Sequence, residues 1–113
     1  MKAIDRATAH FKEMLSQDLK GPLNVPEWDL DVYWHPTNTL NEESVIIELQ
    51  QQGKTTEALV MSLIIKAKDA DGNKLFELND KIKLMRSVDP AVILRIITEM
   101  GSNDEELEDT LGN

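Results

Sequence analysis

Closely spaced acidic side chains are the first candidates for chemistry. The segment Asp69-Ala70-Asp71-Gly72-Asn73 sets two carboxylates, an amide and a glycine within five residues, superficially the opening of a calcium loop. An EF-hand needs oxygen ligands at its first, third and fifth positions, glycine at the sixth and a bidentate glutamate at the twelfth. Counted from Asp69, those last two positions hold Lys74 and Asp80, so the segment reads as a turn in which Gly72 is free to take positive φ. The two histidines, His10 and His35, lie on different predicted elements, without a partner at metal-ligand spacing. The pairs Glu42-Glu43 and Glu27 with Asp29 could be drawn as acid and base, but such pairs on a small acidic domain are ordinarily solvated faces. There is no cysteine for a nucleophile, thiolate site or disulfide, and no nucleophile elbow, P-loop or dinucleotide fingerprint. The expectation is a protein that is not an enzyme and uses no cofactor or metal.

The elements that would carry these residues are mostly helical. In segment 3–19, Ile4, Ala7, Phe11, Met14, Leu15 and Leu19 recur at three- and four-residue steps, and Lys20-Gly21-Pro22 should end the run. Residues 23–35 alternate instead: Leu23, Val25, Leu30, Val32 and Trp34 predict two short strands in a hairpin, with Pro26 at an edge or bulge. Trp28 and Trp34 flank the reversal, one for packing and one open to either packing or partner contact. Thr39 and Glu42 have capping-box spacing ahead of a helix faced by Val45, Ile46 and Leu49 and stopped at Gln52-Gly53. A third helix, 55–68, should be capped by Thr55 or Thr56. Its centre, Ala58 to Ile65, is apolar nearly all round, which requires a central place or another chain against it. Leu75 and Phe76 should pin the chain to the core, and a short helix at 80–87 should enter through Asn79. The last helix has Asp89 as N-cap, Pro90 at its first turn and Gly101 just past its end. Val92, Ile93, Ile96, Ile97 and Met100 form its stripe, and Leu94 points elsewhere.

The predicted fold class is therefore α+β, mainly helical: an N-terminal helix, a small β-hairpin, four further helices and a tail. The 113 residues suit one small domain over 1–101. Residues 102–113 form an acidic tail expected to be mobile, holding five of the nine excess negative charges and no lysine or arginine. A net charge of -9 argues against nucleic acid, no apolar run nears the roughly 20 residues of a membrane span, and Met1 to Arg6 meets charge too early for a signal peptide. The expectation is a soluble protein of cytoplasmic type.

A chain this size hides only about two-thirds of the surface its unfolded form exposes, and its apolar helix faces outnumber their internal partners. A second protein or self-association into a homo-oligomer would cover the surplus. The candidate protein-binding residues are Leu59, Met61, Ile65, Leu94, Ile97 and Met100.

The order of features resembles a known family. Val25-Pro26-Glu27-Trp28, Val32-Tyr33, Pro36-Thr37 and a helix opening with Glu42-Glu43 look like the start of a tail assembly chaperone of long-tailed, lambda-like phages. The Asp69-x-x-Gly72-x-x-Leu75-Phe76 turn, a short helix and Ala91-Val92-Ile93-Leu94-Arg95-Ile96 are similar to that family's later stretch. The match covers about residues 23–100, and the helix at 3–19 departs from it. The resemblance implies a non-catalytic protein of the host cell cytoplasm, absent from the mature virion. It would bind the tape measure protein, keep it soluble and promote polymerisation of the tail tube protein around it, by helix-in-groove burial. It also implies, for many relatives, a frameshifted longer form whose extra domain meets the tube protein. Other readings are a tail-completion or connector component of the virion, a regulatory adaptor mimicking nucleic acid, and a small hydrolase or metal-dependent enzyme using Asp69, Asp71 or Glu42.

Overall fold

The helix that is apolar on every side is the one the rest of the chain surrounds. In the computed structural model, which describes residues 2–112 with side chains described for 2–101, this helix is α3 (Thr55–Lys66), and Ala58, Val60, Ser62, Leu63, Ile64 and Ile65 are all buried along it. Before it come α1 (Ala3–Ser16), strands β1 (Lys20–Val25) and β2 (Leu30–Trp34), and α2 (Leu40–Gln51); after it come α4 (Lys81–Arg86) and α5 (Pro90–Gly112). Two single 3-10 turns lie at Pro26–Trp28 and Leu78–Asp80. The molecule is a mainly helical α+β fold, with five α-helices and one two-stranded antiparallel sheet among the described residues.

Alternation in the hairpin determines its buried face. Val25, Val32 and Trp34 turn inward and meet Val60, Leu63, Ile64 and Ala67 of α3 and its exit, Leu84 of α4, and Val92, Ile93, Ile96 and Met100 of α5. Burying each such side chain contributes about 1.5–3 kcal/mol, so this cluster is the main source of stability. A smaller cluster, Ile46 with Ala58 and Ile65, joins α2 to α3; the half-buried Met61 packs against both clusters. Leu75 and Phe76 pack on the core as expected. Trp34 is buried, while Trp28 sits in the turn and meets Phe76 edge-to-face, ring centroids 5.9 Å apart. Both tryptophans therefore pack.

Several boundaries differ from the sequence expectation, each for a tertiary reason. The segment Lys20-Gly21-Pro22 does not end a helix but begins β1; α1 stops earlier, at Ser16. Pairing of Lys20 with Trp34 requires extended chain there, and the register shifts between Lys20 and Leu23. Pro22 thus lies at the irregularity, where its missing N–H costs no ladder bond, while Pro26 opens the 3-10 turn. Gly21 has φ +105°, and a Cβ on it would stand 2.8 Å from the Val32 carbonyl oxygen. At the far end of α3, Lys68 exchanges backbone hydrogen bonds with Tyr33 (2.9 and 2.8 Å), which takes the chain out of the helix at Lys66 rather than 68.

The caps divide similarly. Thr39 and Glu42 form the expected capping box, the Glu42 N–H donating to Thr39 Oγ1 at 3.1 Å and the Thr39 N–H to Glu42 Oε1 at 2.8 Å. Asp89 caps α5 by accepting the Ala91 N–H at 3.0 Å. Neither Thr55 nor Thr56 caps α3, whose N-cap is Lys54 without a side-chain bond. Asn79 does not lead in α4 either; Asp80 accepts the Glu77 N–H at 2.8 Å across the preceding 3-10 turn. Gly101 does not stop α5, which runs on to Gly112; nothing but helix propensity opposes continuation there, and glycine costs only about 1 kcal/mol inside a helix. The side chains of 102–113 lie outside those described, and with them the mobility expected of the tail.

Candidate functional site

Several of the carboxylates first considered for chemistry are engaged in holding the fold. Asp69 Oδ1 accepts the N–H groups of Asp71 and Asn73, both at 2.9 Å, which closes the turn with Gly72 at φ +85°. Glu27 accepts a two-pronged pair of hydrogen bonds from Arg95 (2.6 and 2.8 Å), joining the hairpin turn to α5. Those bonds hold the Glu27 carboxyl down to about 2, the opposite of what a general acid needs. Its sequence neighbour Asp29 ends the turn in the left-handed region at φ 51°, a conformation aspartate tolerates. Glu42 serves the cap. Partial burial pushes the Glu43 carboxyl up, but the Asn38 amide and the Lys66 ammonium, 3.1 Å away, outweigh it and leave its pKa below the ordinary value.

What the fold leaves open is apolar. A cavity of about 290 Å³ is lined by Phe11 and Leu15 of α1, Trp34, Ile65 of α3, and Ile97 and Met100 of α5. Its polar edge comes from Lys20, His35, Asn38, Glu42 and Lys68. A more open recess of about 350 Å³ lies between α2 and the 3-10 turn at 78–80, lined by Val45, Leu49, Met61 and Leu78 with Glu48, Gln52 and Lys81. Elsewhere on the described surface large apolar side chains stand in solvent, among them Leu40 (81% exposed), Ile82 (66%), Ile4 (65%), Leu94 (52%), Ile47 and Met85.

The six residues singled out from the sequence fall in different places. Ile65, Ile97 and Met100 converge on the first cavity, and Met61 lines the second recess. Leu94 is exposed on the other side of α5 and Leu59 is half-buried. Ile65 and Met100 are themselves buried, so a partner would meet them only at the bottom of the hollow.

Sequence reasoning missed the basic edge of the first cavity, because Lys20, His35 and Lys68 come from three distant segments. Burial pushes the Lys68 ammonium pKa down, and neighbouring Lys74, its bridge partner in the extended pairing, adds to the shift. Burial likewise lowers the His35 pKa, with Lys68 contributing. Lys68 Nζ donates to the Ile65 carbonyl at 2.6 Å, and His35 Nδ1 is buried without a hydrogen-bond partner.

No protein-family model and no curated protein sequence matches the chain. Among solved structures, the fold is similar to that of the bacteriophage HK97 tail assembly chaperone, with a TM-score of 0.60 and 15% identity, covering 84% of this chain and 90% of that one. The fold thus agrees with the family resemblance drawn from residues 23–100.

Proposed function

We propose that the protein is a phage tail assembly chaperone, a binding protein that holds apolar helical segments of the tape measure protein in solution while tail tube subunits assemble around them. The observation that carries this reading is the row of exposed leucine, isoleucine and methionine side chains on α2, α4 and α5, on a fold shared with a protein of that role. Large exposed apolar side chains of this kind suit a protein-contact site, and helices supply them in the three- and four-residue steps a client helix can match. The proposed contact set keeps Leu94 as its exposed member, Ile65, Ile97 and Met100 in the first cavity, Met61 at the second recess, and the half-buried Leu59. Engaged carboxylates and apolar hollows favour binding over catalysis. The high negative charge would keep a coated client dispersed.

Co-expression with the tape measure protein of the same phage tests the reading. The chain should raise the soluble fraction of that client, and Leu94→Asp combined with Leu40→Asp should lower it without altering the thermal melt, since both side chains are exposed. Solubilisation unaffected by charge on these flanks would refute the contact surface. A chaperone acting in the host cytoplasm should also be missing from purified virions by mass spectrometry.

A further inference from the structure

The first cavity combines two properties that the second recess does not. Its bottom is apolar, and its edge is basic on a chain of net charge -9. Lys66 is neutralised by Glu43 at 3.1 Å, whereas Lys20 and Lys68 have no carboxylate within ion-pair distance among the described residues. Glu42 is the one acid in the lining; its charge acts on Lys68 and His35 without forming an ion pair, and its Oε1 accepts the Thr39 cap bonds. Lys68 also feels the charge of Lys74, its bridge partner outside the cavity lining. His35 lines the same edge, with its Nδ1 buried and without a hydrogen-bond partner. The space of about 290 Å³ is at the lower bound for a drug-sized ligand; it suits one or two side chains inserted from a larger body.

We infer that this cavity recognises a carboxylate on an otherwise apolar helical segment of a protein client, the apolar side chain entering among Trp34, Ile97 and Met100 and the carboxylate meeting Lys68 and Lys20. The inference rests on the client-binding reading above and gives the client a chemistry: apolar helices with an aspartate or glutamate about one turn from a large apolar residue. Lys68 Nζ has two further protons to donate beyond its bond to the Ile65 carbonyl, and a charge-assisted bond to a half-buried ammonium is stronger than one at a fully exposed surface.

Three labelled helical peptides, identical and leucine-rich except for Glu, Gln or Lys one turn from a central leucine, test this by fluorescence anisotropy at low salt. Net charge alone would make a chain of -9 prefer Lys over Gln over Glu. The expected order is the reverse, with Glu binding about tenfold or more tighter than Gln, as a bond to a charged group implies. Lys68→Met should bring the Glu-to-Gln ratio to about one, while Lys83→Met, on exposed α4 outside the cavity, should leave it intact. If Lys68→Met fails to fold, the peptide series on the unaltered chain decides. Binding that follows net charge, or equal affinity for Glu and Gln, overturns the inference. The function itself falls only if the tape measure protein is also not solubilised; a soluble client with no Glu preference sinks the cavity chemistry alone.

Discussion

Helices α1 and α3 make the most instructive pair in the molecule. In sequence α1 has the cleaner apolar stripe, whereas α3 is apolar nearly all round. In the fold α3 buries six residues and α1 buries none. Ile4 of α1 is 65% exposed, and only Phe11 and Leu15 reach the cavity edge, whereas Leu63 of α3 is wholly buried. A stripe states that a helix face needs cover; it does not state that the same chain provides it. An isolated helix of 14 residues is marginal in water, so α1 depends on what its apolar side meets.

The contrast can be broken most severely at its buried end. Leu63→Ala should lower the unfolding free energy by about 2–5 kcal/mol, measured by urea titration, because α3, α4, α5 and the hairpin all close on that position. A loss under about 1 kcal/mol would place the core elsewhere. Gly21→Ala should cost about 1–3 kcal/mol, since it combines φ +105° with a Cβ at 2.8 Å from the Val32 carbonyl. An unchanged urea midpoint would show that the bulge is not needed to seat the hairpin.

Acid should act in two separate windows. The folded His35 pKa lies below 6.5, so the unfolded chain binds the proton more readily and stability falls as pH drops below about 6.5. Thermal melts between pH 7 and pH 5 should show that fall, flattened in His35→Gln. The Glu27 carboxyl is lowered from 4.5 to about 2, so its contribution is complete above 4.5 and fades between 4.5 and 2. Arg95→Ala should flatten only that lower limb; a change at pH 6 instead would contradict the assignment. The smallest effect belongs to α1, where Ile4→Ser should shift stability within about 0.5 kcal/mol. A larger loss would mean that α1 packs on the core after all.

Much of the architecture was legible from local pattern. Alternation over 23–34 located the hairpin, Thr39 with Glu42 and Asp89 with Pro90 located two helix starts, and the Asp69 turn read correctly as structural. The basic edge of the cavity and the Glu27–Arg95 fork were not legible, since their members are far apart in the chain and carry no shared spacing. The candidate contact residues were only partly placed by hydropathy: it marked Ile65, Ile97 and Met100 as apolar, but not that Ile65 and Met100 are buried at the bottom of one hollow while Leu94 is exposed elsewhere.

By itself the amino-acid order determined which segments become helix or strand and which faces are apolar, because caps, turns and periodicity act over a few residues. Only the tertiary structure decided where α1 and α3 end, which side of α5 is covered, and that two lysines and His35 meet at one cavity edge. Those outcomes depend on pairings such as Lys20 with Trp34 and Lys68 with Tyr33, whose free energy exists only once distant stretches of chain have come together.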